Sequence, residues 1–118
     1  MNIKEITEGK KVSYRLQGNI LYLGDNDEIQ IDLEQRQKDV GIAIDIYIYN
    51  AGLLQEGSGR HYAANILTPP RRYHDATVQT TDMQGNNITV TQKEPLPVDA
   101  NSVTLQLWEI PEKREGGM

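Results

Sequence analysis

Two histidines and a neighbouring carboxylate are the residues whose types best suit acid–base or metal chemistry. His61 and His74 are the only histidines, and Asp75 follows the second. An imidazole titrates near neutral pH and is a common zinc ligand, so these residues are candidates for an acid–base pair or a metal site. The histidines stand thirteen positions apart with two prolines between them, which matches no familiar ligand spacing. We therefore expect exposed or hydrogen-bonded histidines, no metal site and no catalytic residues.

Other short motifs match known sites only in part. The acidic stretch from Asp25 to Glu28 lacks the alternating ligands, the central glycine and the twelfth-position glutamate of an EF-hand loop. Ser58 lies between two glycines, but without the outer spacing of the Gly-x-Ser-x-Gly nucleophile elbow. The chain has no cysteine, no glycine-rich phosphate loop and no dinucleotide fingerprint. These observations predict a protein that is not an enzyme and uses no cofactor.

Charge is segregated along the chain. Residues 25–39 contain six acids: Asp25, Asp27, Glu28, Asp32, Glu34 and Asp39. Residues 60–74 contain five basic residues: Arg60, His61, Arg71, Arg72 and His74. If the two segments form complementary surfaces, they would steer head-to-tail association into a ring or filament, or dock the basic side on an acidic partner. Solvated loops whose signs differ by chance are the alternative.

Aromatic side chains supply a second candidate surface. Tyr47 and Tyr49 alternate with Asp45 along one predicted strand, and Trp108 lies near the end of another. An aromatic surface with polar neighbours suits a protein interface and also the stacking of a sugar, for which Tyr62 is a further candidate. Ordinary sheet surface, or coverage by the 50–61 loop or by a terminal segment, is the alternative.

The strongest structural signal is the segment Val40–Tyr49, which must hold these tyrosines in place. Its branched residues alternate with the others and so share one face of a strand: Val40, Ile42, Ile44, Ile46 and Ile48. This isoleucine ladder must face the core, and the tyrosines therefore occupy the opposite face.

Alternation and turn residues predict the other strands more weakly. The eight predicted strands are 11–16, 20–23, 28–33, 40–49, 62–67, 76–81, 88–92 and 102–110. Residues 34–39 could hold at most one helical turn, and residues 53–60 are expected to form an exposed flexible loop. The Thr-rich hairpin at 76–92 is expected at the edge or rim of a sheet.

The whole pattern predicts an all-β, single-domain antiparallel β-sandwich or barrel-like sheet of about seven to eight strands. Residues 1–9 are expected to be a flexible lead, residues 10–111 the domain, and residues 112–118 a disordered tail.

A net charge of -5 and a pI near 4.9 argue against binding to duplex nucleic acid. No stretch approaches the roughly 18 apolar residues of a membrane span, and no signal peptide is evident, so we expect a cytoplasmic protein without a membrane segment.

Three functions remain after these exclusions. The first is a non-catalytic structural or protein-interaction module that assembles with itself as a homo-oligomer or with other proteins in a larger complex. The second is a β-sandwich that binds a sugar or another small ligand. A hydrolase that uses one of the histidines is the remote third, because acid–base catalysis needs a positioned pair and the sequence offers only candidates.

Overall fold

A computed structural model describes residues 1–49 and 52–111. The disordered tail that the sequence predicts at 112–118 lies outside these residues. The described residues form ten strands, one helical turn and one 3-10 helix. The strands are β1 (Asn2–Glu5), β2 (Tyr14–Gln17), β3 (Ile20–Leu23), β4 (Ile29–Asp32), β5 (Ile42–Ile48), β6 (Leu54–Glu56), β7 (His61–Thr68), β8 (Tyr73–Thr81), β9 (Asn87–Pro95) and β10 (Thr104–Leu107). The helical turn is α1 (Leu33–Arg36), and the 3-10 helix is Ala100–Ser102.

Five strands form the larger sheet in the order β1-β10-β7-β5-β6. β5 pairs antiparallel with β6 and β7, and β7 pairs antiparallel with β10. β1 pairs parallel with β10, with Asn2 opposite Thr104. The sheet is therefore mixed, whereas the sequence predicted antiparallel strands only, because no local turn pattern reveals a pairing between residues so distant along the chain.

The smaller sheet, β2-β3-β4, is an antiparallel meander that shares one core with the larger sheet. The largest fully buried side chains of this core are Leu21, Leu23, Ile31, Leu33, Ile46, Ile66, Val103 and Leu105. Burial of each such side chain contributes about 1.5–3 kcal/mol, so the shared core is the main source of stability. The all-β class is confirmed, and the strands do not close into a barrel.

The isoleucine ladder faces the core, with one exception. Ile44, Ile46 and Ile48 are buried and Ile42 is half-buried, but Val40 precedes β5 and is 65% exposed. The chain just before Val40 bonds elsewhere, since the Lys38 carbonyl accepts from the Arg71 backbone N–H at 2.7 Å. The strand therefore begins two residues later than the alternation indicates.

Two segments expected to be irregular contain short strands. The expected flexible lead contains β1, and the N–H of Ile6, the residue after this strand, donates to the Leu107 carbonyl at 2.8 Å. The expected 53–60 loop contains β6, and Gly57 beyond it donates to the Asp45 carbonyl at 2.9 Å. Strands of three or four residues are too short for alternation to distinguish them from loops.

β8 and β9 form a separate two-stranded sheet, which we call the arm (residues 73–95). Its strands pair in unbroken register from Tyr73 opposite Pro95 to Thr81 opposite Asn87, and none of these residues is buried. At about 3.3 Å per residue the arm is roughly 30 Å long. The molecule accordingly measures 78 × 22 × 22 Å with a radius of gyration of 20.2 Å, against about 13.5 Å for a compact chain of this length. The hairpin predicted at a sheet edge is therefore an independent projection.

Candidate functional site

A β-bulge in β7 determines which side chains share the outer face of the larger sheet. The register between β5 and β7 shifts after Ile46, so Ile46 pairs with Ala64 while Tyr47 pairs with Tyr62. Ala63 is the extra residue, and both alanines are fully buried. A bulge shifts the alternation of a strand by one residue, which re-aims the side chains beyond it. Tyr62 is thereby placed on the outer face beside Tyr47.

Three rings form a row across β5, β7 and the residue after β10, which we call the aromatic row: Tyr47, Tyr62 and Trp108. The ring centroids of Tyr47 and Tyr62 are 4.9 Å apart with an interplanar angle of 27°. Those of Tyr62 and Trp108 are 5.3 Å apart at 31°. These separations lie in the favourable range for aromatic pairs, so the rings stabilise one another across three strands.

A hydrogen-bond chain runs beside the aromatic row. The Trp108 indole N–H donates to Asn65 Oδ1 at 2.6 Å, and Asn65 Nδ2 donates to Asp45 Oδ1 at 2.8 Å. This amide orientation satisfies both bonds, since the indole only donates and the ionised carboxylate only accepts. Asn65 is buried, so the chain fixes the indole against the sheet.

The loop that follows β6 covers one side of Tyr47. A Cβ atom at Gly59 would lie 2.3 Å from Tyr47 Cβ, so only glycine allows this approach. The pKa of Tyr47 is raised, first by a side-chain hydrogen bond with Tyr62, then by loss of water and by the charges of Tyr62 and Asp45. The tyrosine therefore stays neutral and serves as a hydrogen-bonding and packing group.

A cleft of about 350 Å³ lies at the other end of the aromatic row. It is lined by Thr7, His61, Tyr62, Trp108, Glu109, Ile110 and Pro111. Tyr49, expected to join this surface, lies beyond the end of β5, where its backbone N–H donates to the Leu53 carbonyl. The structure thus brings Tyr47, Tyr62 and Trp108 together with His61 nearby, while no ring contact among the described residues links Tyr49 to the row.

The basic residues of segment 60–74 fall into two groups. Arg60 and His61 lie at the start of β7, and Arg71, Arg72 and His74 lie beyond its end. An eight-residue strand spans roughly 23 Å, so the two groups are at opposite ends of the sheet. A single basic surface made of all five residues is not present in this arrangement.

Arg71 fastens the base of the arm to the body of the protein. Its guanidinium donates to the Gln37 carbonyl at 2.8 Å and to the Glu34 carbonyl at 3.3 Å. The buried Gln37 side chain donates in turn to the Pro69 carbonyl at 3.1 Å. These bonds satisfy carbonyl groups at the end of α1, so Arg71 is a structural residue as well as a charged one.

The second chain segment at the base of the arm is held in the same way. The Val98 N–H donates to the Glu34 carboxylate at 2.5 Å, and the Leu96 N–H donates to the Arg72 carbonyl at 2.8 Å. The Tyr73 hydroxyl donates to Asp39, and this hydrogen bond is the main reason why the pKa of Tyr73 is raised. We call residues 69–72 and 96–98, with their contacts to 34–39, the arm root. Both chain segments at the base of the arm are therefore hydrogen-bonded to the body.

Much of the acidic segment is likewise engaged within the molecule. Asp27 pairs with Arg15 at 2.8 Å, an interaction that lowers the pKa of this carboxyl. Asp32 caps α1 by accepting from the Gln35 N–H at 3.2 Å. Together with Glu34 and Asp39 in the arm root, these contacts leave fewer acids available for a partner than the sequence indicates.

The two faces of the arm differ in polarity. Residues directly opposite in an antiparallel pair share a face. Val78 is opposite Val90 and Thr80 is opposite Ile88, and these four side chains lie on one side of the arm. Ala76 extends this apolar face toward the root. The other face carries Thr77 opposite Thr91, Gln79 opposite Thr89 and, near the root, the ion pair Asp75–Lys93 at 2.6 Å.

The tip of the arm is closed by its own hydrogen bonds. Asp82 Oδ1 accepts from the N–H groups of Gln84 and Asn86, both at 2.9 Å. Gly85 adopts a positive φ of 83°, which a glycine tolerates without strain. Met83 is fully exposed at the tip.

The histidines lie in separate places, His61 beside the cleft and His74 on the arm, where its Nε2 is 3.8 Å from Glu94. No group of three or more potential metal ligands occurs in residues 1–49 and 52–111. Over the same residues, no helix is both long enough and apolar enough to cross a bilayer.

Sequence reasoning missed the arm as a separate element and did not pair Tyr62 with Tyr47. The arm had one signal that could have revealed it, which is the absence of any large apolar run on either strand. The position of Tyr62 depends on the bulge, for which the adjacent alanines Ala63 and Ala64 give no distinctive pattern.

Comparisons with known proteins add no further assignment. A scan against protein-family models, a search of curated proteins and a search of solved structures each returned no match. The arm and the aromatic row are therefore the features of this protein from which a function can be inferred.

Proposed function

We propose that this protein is a non-catalytic structural or protein-interaction module whose arm joins it to other subunits of an assembly. The observation that carries the proposal is a nine-pair hairpin without a buried residue. An isolated two-stranded hairpin is marginally stable in water, and stability requires additional strands or a packed face. A partner that covers the arm would supply the additional strands or the packed face that the body of the molecule does not provide.

The arm root supports this function because it holds the base of the arm in place before any partner arrives. Arg71, Tyr73 and Glu34 tie the two root segments to the body. Ordering a segment on binding costs free energy, and a segment that is already ordered avoids much of that cost. A directed arm is therefore better suited to joining subunits than a loosely attached hairpin would be.

The dimensions of the arm limit how it can be covered. One face measures roughly 30 by 10 Å, or about 300 Å². A standard interface buries about 800 Å² on each partner. One face of the arm is therefore too small for a stable interface, and we infer that an edge or the second face is also covered.

The test is the solution mass of the full chain and of an arm-shortened variant, by light scattering after size exclusion. In the variant, Asn-Gly replaces residues 76–92, so that a two-residue turn joins the Asp75–Lys93 pair. The full chain should have a defined multiple of the 13.3 kDa chain mass, and the variant should be a monomer.

Thermal unfolding is the control, since the variant keeps the arm root and every core residue and should unfold within a few degrees of the full chain. The same number of subunits in a folded variant and in the full chain would show that the arm does not join subunits. A monomeric full chain at every concentration would reject self-assembly.

The aromatic row favours a second candidate, a module that binds sugars or other small ligands. Tyr62 and Trp108 border a cleft that also contains the side chains of Thr7, His61 and Glu109. A sugar stacks on an open ring face. The rings of the row stack on one another and Gly59 covers Tyr47, so this candidate ranks second.

Fluorescence of Trp108, the only tryptophan, tests the second candidate during titration with a panel of mono- and oligosaccharides. We expect no saturable change. A saturable change that Tyr62→Ala removes would place ligand binding first.

A further inference from the structure

We propose that β8 pairs antiparallel with β8 of a second copy of this chain, about a twofold axis at Thr77. The two arms then form one four-stranded sheet in the order β9-β8-β8-β9. The inference rests on the proposed function and names the partner and the strand that it contacts.

The free edge of β8 lacks the features that usually prevent such pairing. Natural edge strands carry lysines, prolines, bulges or inward-pointing charges. Between residues 76 and 92 the only charged residue is Asp82, and there is no proline and no bulge. In a chain with 25% charged residues, this stretch has one charge, and Asp75 is the one acid or base of β8 besides His74, so little charge opposes the approach of another strand to the backbone donors and acceptors of β8.

The register about Thr77 is self-complementary in charge. In this register, residues equally distant from Thr77 lie opposite each other. Ala76 then faces Val78 of the second copy, and Asp75 faces Gln79. Just outside the strand, Arg72 faces Asp82 of the second copy, and the twofold axis repeats this opposite-charge pair at the other end. No like charges meet, and opposite charges directly across a pair of strands are stabilising.

The edge of β9 does not fit a second copy equally well. A twofold axis at its midpoint, Thr91, would set Ile88 against Glu94. It would also set Asn87 against Pro95, which has no N–H to donate. We therefore assign the pairing to β8.

The four-stranded sheet also enlarges the apolar face of the arm. A twofold axis perpendicular to the sheet keeps the same side of both arms together, so Val78, Val90 and Ile88 of the two copies form one continuous surface. Three or more strands with a hydrophobic face meet the requirement for independent stability that a lone hairpin does not meet.

Cysteine cross-linking tests the register, because the chain has no cysteine of its own. In Thr77→Cys, the Cα atoms of the two cysteines, one from each copy, would be about 4.5–5.5 Å apart, within the range of a disulfide. Thr91→Cys is the matched control, since Thr91 is exposed, lies directly opposite Thr77 and belongs to the outer strand of the proposed sheet. The two cysteines at position 91 would be about 14 Å apart, because three strand spacings separate the outer strands.

We expect mild oxidation to convert Thr77→Cys into a disulfide-linked dimer, with yield about tenfold above that of Thr91→Cys. Equal yields, or a higher yield for Thr91→Cys, would overturn the pairing. If Thr77→Cys does not cross-link while the arm still governs the mass of the full chain, β8 self-pairing is rejected and the proposed function stands. A monomeric full chain without cross-linking would reject both the β8 pairing and the proposal that the protein assembles with itself.

A charge reversal provides an independent test. The Arg72 side chain is exposed and its backbone carbonyl makes the root bond, so Arg72→Glu should leave the monomer intact. It would set like charges opposite each other at both ends of the pair, and the dissociation constant should rise on the order of tenfold. Arg72→Lys is the control and should change it little. An unchanged dissociation constant for Arg72→Glu would exclude the Thr77 register.

Discussion

At the residue scale, Asn65 and Gly59 have roles that depend on geometry more than on chemical reactivity. The amide of Asn65 has both an acceptor for the indole N–H and a donor for the carboxylate, and it makes both bonds. Loss of either bond would leave a poorly solvated group without a partner. Gly59 contributes by the absence of a side chain, which lets the loop after β6 lie on Tyr47.

Gly59→Ala should lower the free energy of unfolding by about 1–3 kcal/mol, because the new methyl group would overlap Tyr47 Cβ and force the loop away from β5. Gly41→Ala is the control, since its nearest contact would be an ordinary 3.6 Å and its φ is not positive. Urea titration of both variants is the measurement. Equal stability for the two variants would contradict the close approach of Gly59.

At the element scale, the isoleucine ladder dominates the body of the protein. Ile46→Ala removes a side chain that is 0% exposed, and we expect a loss of about 2–5 kcal/mol. Val40→Ala, which shares the same alternation in the sequence, should cost less than about 0.5 kcal/mol because Val40 is exposed and precedes the strand. Chemical denaturation measures the free energy of unfolding of both variants. A large loss for Val40→Ala would mean that β5 begins before Ile42.

An ion pair between Arg36 and Glu56 joins α1 to the short edge strand β6 at 2.5 Å. The guanidinium holds the pKa of Glu56 below its ordinary value of 4.5. A carboxyl whose pKa is lowered by folding stabilises the fold above its unfolded pKa, and that contribution disappears as the pH falls through the folded pKa. The contribution is small because both side chains are partly exposed.

The melting temperature of Glu56→Gln should therefore lie below that of the unsubstituted protein at neutral pH. The difference should vanish well below pH 4.5. Asp75→Asn is the control, since the Asp75–Lys93 pair lies on the arm with both side chains more than half exposed. A pH-independent difference for Glu56→Gln would mean that packing, and not charge, joins α1 to β6.

The sequence predicts the elements that have a strong local pattern. β5 alternates over several residues, so its existence and its buried face are evident, and β7 and the hairpin of the arm are also found. β1 and β6 are too short for a pattern, and their pairing depends on residues distant in the chain. The aromatic row is predicted in part, because Tyr47 and Trp108 are recognisable candidates while Tyr62 reaches them only through the bulge.

At the scale of the whole molecule, the arm accounts for the elongated shape. Small-angle X-ray scattering of the arm-shortened variant should give a radius of gyration near 13 Å, as expected of a compact chain of about a hundred residues, against 20.2 Å for the full chain. The full chain must be measured at a concentration where it is monomeric. A variant that keeps a value near 20 Å would show that the elongation arises elsewhere in the molecule.

The unbroken ladder of the arm also makes it an adjustable spacer. The root is fixed by the body and the tip is closed by Asp82, so neither end dictates how many residue pairs lie between them. Two residues added to each strand would lengthen the reach by roughly 6.6 Å and keep every side chain on its face, whereas one residue added to each would invert the faces beyond it. Because Arg72 and Asp82 bracket β8, a lengthened strand would still meet its own copy with opposite charges at both ends. Reach could therefore vary among related chains, or be redesigned, without any change to the core.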